Sequence, residues 1–300
     1  MTSNKIVSIL NFKRYTMKKL LAFDVDGTLA DVYSNIQPGV QSVFLDKRIT
    51  DCGVTFITGN TLTTIKKMRE NLQKLTTTPL PIHTYCASLG GAIIYSGKNE
   101  VVFKSRLCKR KLVRYLDMCV QFDPKCFFML MLEDKQIFCH VQDKQTEDYI
   151  RSYFGKMNMD PNEIYFADED YHTYLRKIST VFTVNIFNSY NPTGLYKQLL
   201  PIVVEGGYFT YTEKRIGMVQ ISSNTKLKAL KYILRKLKQD GIYNNGAKKC
   251  VFFGDGGNDI TSMEYCGMAV ARGENLDEDI TKISDVYANE MTPYLDKIFE

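Results

Sequence analysis

The stretch KLLAFDVDGT, residues 19–28, joins a short apolar run to a polar loop that carries two aspartates. The run stops abruptly at Asp24, and a nearly continuous apolar run of this length is typical of a strand buried on both faces of a sheet. Asp26 follows two residues later, a spacing that lets the two carboxylates point at different atoms. Asp24 is therefore a candidate nucleophile and Asp26 a candidate general acid/base. We expect Gly27 to permit a sharp turn after them and Thr28 to orient Asp26 by a hydrogen bond.

Apolar runs that stop at polar residues recur along the chain, at 54–57, 250–253 and 268–271. Helical patterns occupy 61–75 and 225–238, where apolar side chains recur at the spacing of one helix face. Strand, turn and helix in alternation predict an α/β fold with a Rossmann-like parallel sheet and helices on its faces. In such sheets ligands bind beyond the carboxyl ends of the strands, which is where the chemically active side chains of this chain stand.

The middle of the chain has a different pattern, because its candidate strands come in pairs, as in an antiparallel α+β module. We expect an inserted α+β domain over 87–221 and a core built from 17–86 and 222–300. Gly90–Gly91 suit the first crossing into the insertion, because glycine accepts unusual backbone angles. Residues 1–16 contain no acidic side chain, and they are interpreted as a flexible N-terminal extension or, alternatively, as an organelle presequence.

The segment GDGGND, residues 254–259, also follows an apolar run and adds further carboxylates. If Asp255 and Asp259 lie near Asp24, like charges about 4 Å apart repel by about 4 kcal/mol at an effective dielectric near 20. Such a cluster is tolerable only with a cation, and oxygen ligands without Cys or His point to Mg²⁺. Asn258 could supply a neutral oxygen or fix one of the carboxylates.

Two further pieces suit an anion. Thr58 and Gly59 end the second apolar run, where a hydroxyl and backbone N–H groups at a helix start make a candidate anion site. Lys226 stands in the first turn of its helix, where its charge could bind a phosphoryl oxygen. Taken singly, each motif has a plainer interpretation: DVDGT as an Asx turn, GDGGND as a calcium-binding turn, Asn60 or Thr61 as a helix cap, and Lys226 as part of a solvated face. The order in which they occur together favours one shared reaction site.

Together these motifs resemble the haloacid dehalogenase (HAD) superfamily, and within it the Cof-type, class IIB phosphatases, which carry a large C2-type cap. The resemblance covers the predicted core, 17–86 and 222–300, and the position of the cap. It implies that Asp24 attacks phosphorus to form an aspartyl-phosphate, and that Asp26 protonates the leaving alcohol and then activates water. It also implies three binding sets: Thr58, Gly59 and Lys226 for the substrate phosphate; Asp24, the Asp26 main-chain carbonyl and Asp255 for Mg²⁺; and Asn258 and Asp259 in support of the metal.

The sequence departs from this family pattern at three places. Gly90–Gly91 stand where members often have Asn-Gly at the cap entrance. Ser262 stands where many have Met, and Arg272 follows a segment that reads Gly-Val-Ala-Met in the family. None of these departures removes a group that the implied chemistry uses.

The sequence therefore predicts a Mg²⁺-dependent phosphatase for a small phosphorylated metabolite, with a sugar phosphate as one candidate. A phosphotransferase or phosphomutase would use the same residues, because a second alcohol would simply replace water. A noncatalytic phospho-ligand-binding protein is a third alternative, which the full set of charged motif residues disfavours.

Composition excludes other classes of protein. A chain that is 44% hydrophobic and 24% charged is not disordered in the main. Its longest apolar run, 126–132, is seven residues long, whereas a membrane-spanning helix needs about 20. The net charge of +6 favours anionic small molecules without implying nucleic acid. Eight scattered cysteines without a CxxC motif favour a reducing, cytoplasmic location.

Overall fold

The computed structural model describes residues 17–31, 35–76, 85–156, 164–188, 191–213, 217–273, 276 and 278–300. The predicted N-terminal extension, residues 1–16, lies outside the described residues. The strands, in chain order, are β1 Lys19–Phe23, β2 Cys52–Phe56, β3 Cys86–Ser88, β4 Ile93–Tyr95, β5 Val101–Lys104, β6 Phe127–Met131, β7 Gln136–Cys139, β8 Ile164–Phe166, β9 Thr183–Phe187, β10 Phe209–Glu213, β11 Met218–Ser222, β12 Cys250–Gly254, β13 Met268–Ala271 and β14 Val286–Tyr287. The α-helices are α1 Pro38–Leu45, α2 Leu62–Leu75, α3 Lys109–Phe122, α4 Lys144–Lys156, α5 Tyr171–Lys177, α6 Pro192–Glu205, α7 Lys226–Gln239, α8 Ile260–Tyr265, α9 Glu278–Ile283 and α10 Leu295–Phe299.

Five strands form an all-parallel sheet in the order β14-β13-β12-β1-β2. Every residue of β1, β2 and β12 is buried, which is why these strands read as nearly continuous apolar runs rather than as alternating patterns. The ring of Phe23 stacks on that of Phe253, with centroids 4.2 Å apart. This sheet confirms the predicted α/β class and places the carboxyl ends of β2, β1 and β12 side by side.

Helices cover both faces of the parallel sheet. Because successive strand residues point to opposite faces, Leu21 and Phe23 of β1 pack in the same apolar cluster as helix α2. Leu20 and Ala22 pack in a second cluster with helices α7 and α8. The sheet is thus buried on both sides, and in sheets of this kind ligands bind beyond the carboxyl ends of the strands.

A second sheet of six strands has the order β10-β11-β9-β6-β7-β8, with every pair antiparallel except β7 and β8. Helices α3, α5 and α6 cover one face and enclose its apolar core. On the other face α4 packs near β7, where the rings of Phe138 and Phe154 lie 5.1 Å apart. A small antiparallel sheet, β3-β4-β5, follows α2 in the chain.

The two glycines expected at the first crossing have left-handed backbone angles, with φ of +67° at Gly90 and +93° at Gly91. A Cβ on Gly91 would lie 2.7 Å from the Thr225 carbonyl oxygen, which precedes α7. A side chain there would therefore meet both backbone strain and a clash. The division into core and inserted domain stays a prediction.

Several elements differ from the sequence expectations. Helices α1 and α5 have no predicted counterpart, because each spans only about two turns and leaves little periodic signal. The sequence also predicts helices near 106–121, 144–157 and 192–200, and the last of them continues to Glu205. Among the described residues no helix combines the length and apolar character that crossing a membrane requires.

Candidate active site

The ends of β1 and β12 bring the two acidic segments together. These strands are parallel neighbours with Phe23 opposite Phe253, and the backbone N–H of Asp24 donates to the Phe253 carbonyl at 2.9 Å. One carboxylate oxygen from each of Asp24, Asp255 and Asp259 lies within 4.8 Å of the others. We call these three residues the acidic cluster, and the sequence prediction that they converge is matched by this geometry.

Lys226 lies inside the acidic cluster. Its Nζ is 2.7 Å from Asp24 Oδ1 and 2.8 Å from Asp259 Oδ1, and its side chain is 2% exposed. It is the first residue of α7, whose start is capped because Thr225 Oγ1 accepts a hydrogen bond from the Lys228 N–H. Burial tends to lower the pKa of Lys226, but the two carboxylates outweigh burial and raise the pKa. The ammonium group therefore stays charged.

When all three carboxyl groups of the acidic cluster are ionised, they carry more negative charge than Lys226 neutralises. Burial, followed by the neighbouring carboxylates of Asp24 and Asp259, raises the pKa of Asp255 to about 8. Burial also raises the pKa of Asp259 to about 6 and raises that of Asp24, against the opposing effect of Lys226. Such an excess of buried negative charge is the electrostatic condition that a bound divalent cation relieves.

The donor atoms of the cluster suit a hard divalent cation, because all of them are carboxylate oxygens. Asp259 is already engaged through both oxygens. Its Oδ1 contacts Lys226, and its Oδ2 accepts from the backbone N–H groups of Asp255 at 3.3 Å and Gly256 at 3.1 Å. The supporting role that the family resemblance implies for Asp259 stays a prediction, as do the ligand roles of Asp24 and Asp255.

Asp26 lies beside the acidic cluster in a different environment. Its Oδ2 accepts a hydrogen bond from Asn60 Nδ2 at 2.7 Å. The residue is exposed. Desolvation by the surrounding protein nevertheless raises the pKa of Asp26, against the opposing effects of Lys226, Asn60 and Thr58. A raised pKa lets a carboxyl group keep its proton at higher pH, as a general acid requires.

The prediction that Thr28 orients Asp26 is wrong. The Thr28 hydroxyl donates to Asp255 Oδ1 at 3.2 Å. Gly27, between Asp26 and Thr28, has a left-handed backbone, with φ of +76°, and the Thr28 hydroxyl faces the last motif instead of the preceding aspartate. Thr28 therefore links the first acidic segment to the last one.

The suggestion that Asn60 or Thr61 caps a helix is also corrected. Thr61 occupies the N-cap position of α2, but its side chain makes no capping hydrogen bond. Asn60 instead holds Asp26, as described above. One feature of the sequence indicated the contact between Asn60 and Asp26: Asn60 lies two residues after Thr58, in the loop that follows a strand of the parallel sheet.

Thr58 and Gly59 occupy the loop between β2 and α2. The Thr58 N–H donates to the Ala87 carbonyl at 3.0 Å, and its carbonyl accepts from the Gly90 N–H at 2.9 Å. Its buried hydroxyl accepts from the Asn60 N–H at 3.1 Å. A Cβ on Gly59 would meet no atom within 4 Å, so the loop has open space beside it. The anion-binding role of this loop stays a prediction.

One side chain of the six-stranded sheet reaches the acidic segment. Asn258 Nδ2 donates to the Tyr211 hydroxyl oxygen at 3.2 Å, which joins β10 to the loop after β12. Burial raises the pKa of Tyr211, so the phenol stays protonated. No sequence pattern distinguishes Tyr211 from the other tyrosines, because its contact depends on how the two sheets are placed.

We expect Gly27→Ala to lower the free energy of unfolding and to displace Asp255. A Cβ on Gly27 would lie 2.3 Å from Asp255 Oδ2, and the left-handed backbone adds about 1–2 kcal/mol for a residue with a side chain. Gly207→Ala is the matched control, because Gly207 has φ of +80° but no atom within 4 Å of a Cβ. Urea unfolding should show the larger loss in G27A, and equal losses in both variants would contradict the packing of Asp255 against Gly27.

Comparison with known proteins agrees with this architecture. A family model described as haloacid dehalogenase-like hydrolase matches residues 21–290. No curated protein matches the chain at a significant level.

Solved structures that resemble the chain share its fold. A haloacid dehalogenase-like hydrolase from B. subtilis aligns with a TM-score of 0.71 at 18% identity, covering 93% of this chain and 98% of that one. A sugar phosphatase of HAD subclass IIB aligns with a TM-score of 0.68 at 17% identity, covering 90% and 93%. A haloacid dehalogenase-like hydrolase from Bacteroides thetaiotaomicron gives 0.66 at 17% identity, covering 93% and 98%.

Identities this low establish the fold only, whereas the family model spans most of the chain. The match to the family model includes both acidic segments, which the fold brings to one edge of the parallel sheet. The chain therefore belongs to the haloacid dehalogenase-like hydrolases, with the architecture of their class IIB members.

Proposed function

We propose that this protein is a Mg²⁺-dependent phosphatase that hydrolyses a small phosphorylated metabolite through an aspartyl-phosphate on Asp24. The observation that carries the proposal is the convergence of Asp24, Asp255 and Asp259 around the charged Lys226, with Asp26 beside them. Phosphoryl transfer needs positioning and charge neutralisation more than elaborate covalent chemistry. This arrangement is suited to both.

In the first step one oxygen of Asp24 attacks phosphorus while the bond from phosphorus to the ester oxygen breaks. Lys226 holds Asp24 Oδ1 at 2.7 Å, which orients the carboxylate and makes Oδ2 the attacking oxygen. Asp26 gives its proton to the departing ester oxygen, so the alcohol leaves as a neutral molecule. The raised pKa of Asp26 supports this acid role.

In the second step water attacks the phosphorus of the aspartyl-phosphate. Asp26, now a carboxylate, takes a proton from that water while the bond between phosphorus and Asp24 breaks. Free phosphate leaves and Asp24 returns to its starting state. Thr58, Gly59 and Lys226 are the proposed binding groups for the phosphoryl oxygens in both steps.

The proposed metal ligands are Asp24, Asp255 and the Asp26 main-chain carbonyl, with Asn258 and Asp259 in support. Mg²⁺ held there would supply positive charge between the anionic nucleophile and the anionic phosphate. Oxygen donors and excess negative charge in the acidic cluster support this assignment.

A sugar phosphate is the proposed type of substrate. One structural neighbour is a sugar phosphatase of HAD subclass IIB. On the six-stranded sheet Tyr211, Gln220 and Asn185 stand opposite one another on adjacent strands, and Gln220 Nε2 donates to Asn185 Oδ1 at 2.6 Å. Tyr211 reaches the acidic segment, so this row of uncharged polar side chains lies toward the site, where it suits a leaving group rich in hydroxyls.

We further propose that residues 87–221 act as an inserted cap over a core of 17–86 and 222–300. The six-stranded sheet, built almost wholly from this range, supports the division.

We also propose a cytoplasmic location, supported by eight free cysteines, six of which are buried.

Hydrolysis of p-nitrophenyl phosphate, followed by the absorbance of its product, tests the function. We expect activity with Mg²⁺, loss of activity after EDTA treatment and recovery with excess Mg²⁺. Activity that EDTA leaves unchanged would contradict the metal requirement. The proposed function would be overturned if the protein hydrolysed neither this ester nor any of a panel of phosphorylated metabolites. Phosphorylation of an added acceptor sugar would identify a phosphotransferase instead.

Mg²⁺ is expected to raise the Tm more at about pH 9 than at about pH 6. The folded-state pKa values of Asp255, about 8, and Asp259, about 6, lie above the ordinary 3.8. As the pH falls through these values the folded protein takes up protons, which relieves the repulsion and stabilises the metal-free state. Above them the carboxylates are charged, so a cation has the most repulsion to relieve and no proton to displace. Thermal melts with and without Mg²⁺ at both pH values check this, and Asp255→Asn should remove most of the difference; equal shifts at both would contradict it.

A further inference from the structure

Arg272 is a buried cation that the proposed chemistry does not use. It follows β13 directly, and its backbone N–H donates to the Gly254 carbonyl at 3.1 Å, which fixes it beside the end of β12. The residue is 6% exposed. Its backbone is therefore anchored next to the strand end from which Asp255 follows.

The Arg272 guanidinium contacts the turn that follows Asp26. Its Nη1 donates to the carbonyl oxygens of Gly27 at 3.4 Å and Thr28 at 3.3 Å, and its Nη2 donates to Gln37 Oε1 at 3.3 Å. These distances are long for hydrogen bonds. The guanidinium is therefore held mainly by the attraction of its charge to three polar groups, the two backbone carbonyls and the Gln37 side-chain carbonyl.

This position is electrostatically costly. Within the described part of the chain no carboxylate forms an ion pair with Arg272, and its buried Nε has no hydrogen-bond partner. Burial lowers its pKa, against weaker opposing effects of Glu290 and Asp255. A buried guanidinium without an ion-pair partner is unfavourable for folding, and a cost of this kind is commonly retained at functional sites.

We propose that Arg272 is a positioning residue that holds the Gly27–Thr28 turn, and with it Asp26, in the geometry needed for phosphoryl transfer. The same anchor fixes Thr28, whose hydroxyl donates to Asp255, so one guanidinium ties the first acidic segment to the last. The inference rests on the proposed phosphatase function.

An arginine suits this position better than another long side chain. Its planar fork presents five N–H donors in fixed directions, so it can serve the two turn carbonyls and Gln37 at once. Lysine would keep the charge but offer a single point of donation, and methionine would keep only the volume.

The test compares Arg272→Met and Arg272→Lys with the wild-type protein in p-nitrophenyl phosphate hydrolysis with Mg²⁺. We expect R272M to lower kcat by roughly 10- to 100-fold, because a misplaced reacting group costs rate. KM should change by no more than about twofold, because no binding group is removed. R272K should recover part of the lost kcat. Arg110→Met, on the exposed face of α3, is the control and should keep full activity.

Urea unfolding of each variant separates positioning from folding. The kcat of R272M, corrected for the folded fraction, should remain low, and guanidinium at non-denaturing concentration should raise the kcat of Arg272→Ala. If the wild-type protein is active and folded R272M keeps its kcat, the inference fails and the proposed function stands. If R272M does not fold, the test passes to R272K. Full kcat in folded R272K would overturn the inference that the planar guanidinium of Arg272 is needed to position the turn. An inactive wild-type protein would overturn the proposed function and this inference with it.

Discussion

Replacement of Asp24 by Asn is expected to abolish phosphate ester hydrolysis, with kcat reduced by at least about 10³-fold. The amide is a far weaker nucleophile than the carboxylate that lies 2.7 Å from Lys226, and no other carboxylate of the acidic cluster has its place at the end of β1. The measurement is the steady-state rate with p-nitrophenyl phosphate and Mg²⁺, at enzyme concentrations high enough to resolve this reduction.

Folding should survive the Asp24→Asn change. Burial raises the pKa of Asp24, so the fold disfavours its charge, and a neutral side chain of the same size removes that penalty. Asp296→Asn is the matched control, because the Asp296 side chain is 85% exposed and its loss should leave the rate unchanged. Equal activity of the wild type and folded D24N would exclude Asp24 as the nucleophile.

Lys226→Met is expected to abolish activity and to lower the free energy of unfolding of the metal-free protein at neutral pH by about 3–5 kcal/mol. The buried ammonium lies within 2.8 Å of two carboxylates. Its removal leaves the buried carboxyl groups of Asp24 and Asp259 close together with no cation between them. Urea unfolding in the presence of EDTA measures the loss.

The stability deficit of Lys226→Met should depend on pH with a defined sign. Lys226 lowers the pKa values of Asp24 and Asp259 against the effect of burial, so its removal raises both further. The deficit is then greatest where both are ionised and shrinks as the pH falls through the raised values, because protonation removes the unpaired charge. Lys238→Met, an exposed position in the last turn of the same helix, should cost little at any pH. A deficit in K226M that does not change with pH would show that lost packing, rather than lost charge, destabilises the variant.

Much of the fold could be predicted from local sequence. Strands β1, β2, β12 and β13 are buried on both faces, so each is marked by a nearly continuous apolar run. Helices α2 and α7 are long enough for their apolar spacing to be visible. Helix α1, with eight residues, gave too little periodicity to be recognised.

The candidate site was also predictable only in part: the positions of its motifs could be read from the sequence, whereas the partners of its side chains could not. The spacing of Asp24 and Asp26 and the segment containing Asp255 are local features, so their convergence could be expected from strands that end at one edge. The partners of these side chains were not predictable in this way. Thr28 bonds Asp255 rather than Asp26, and Asn60 bonds Asp26 rather than a helix end.

The order of apolar runs and acidic motifs by itself determined the α/β class and the edge at which chemistry takes place, because burial on both faces and strand polarity leave their marks within a few consecutive residues. Only the tertiary structure decided which side chains meet there. The contacts of Tyr211 with Asn258 and of Arg272 with the Gly27–Thr28 turn join residues far apart in the chain. Such contacts depend on strand order, turn direction and the placement of one sheet against another, and hydrophobic periodicity records none of these.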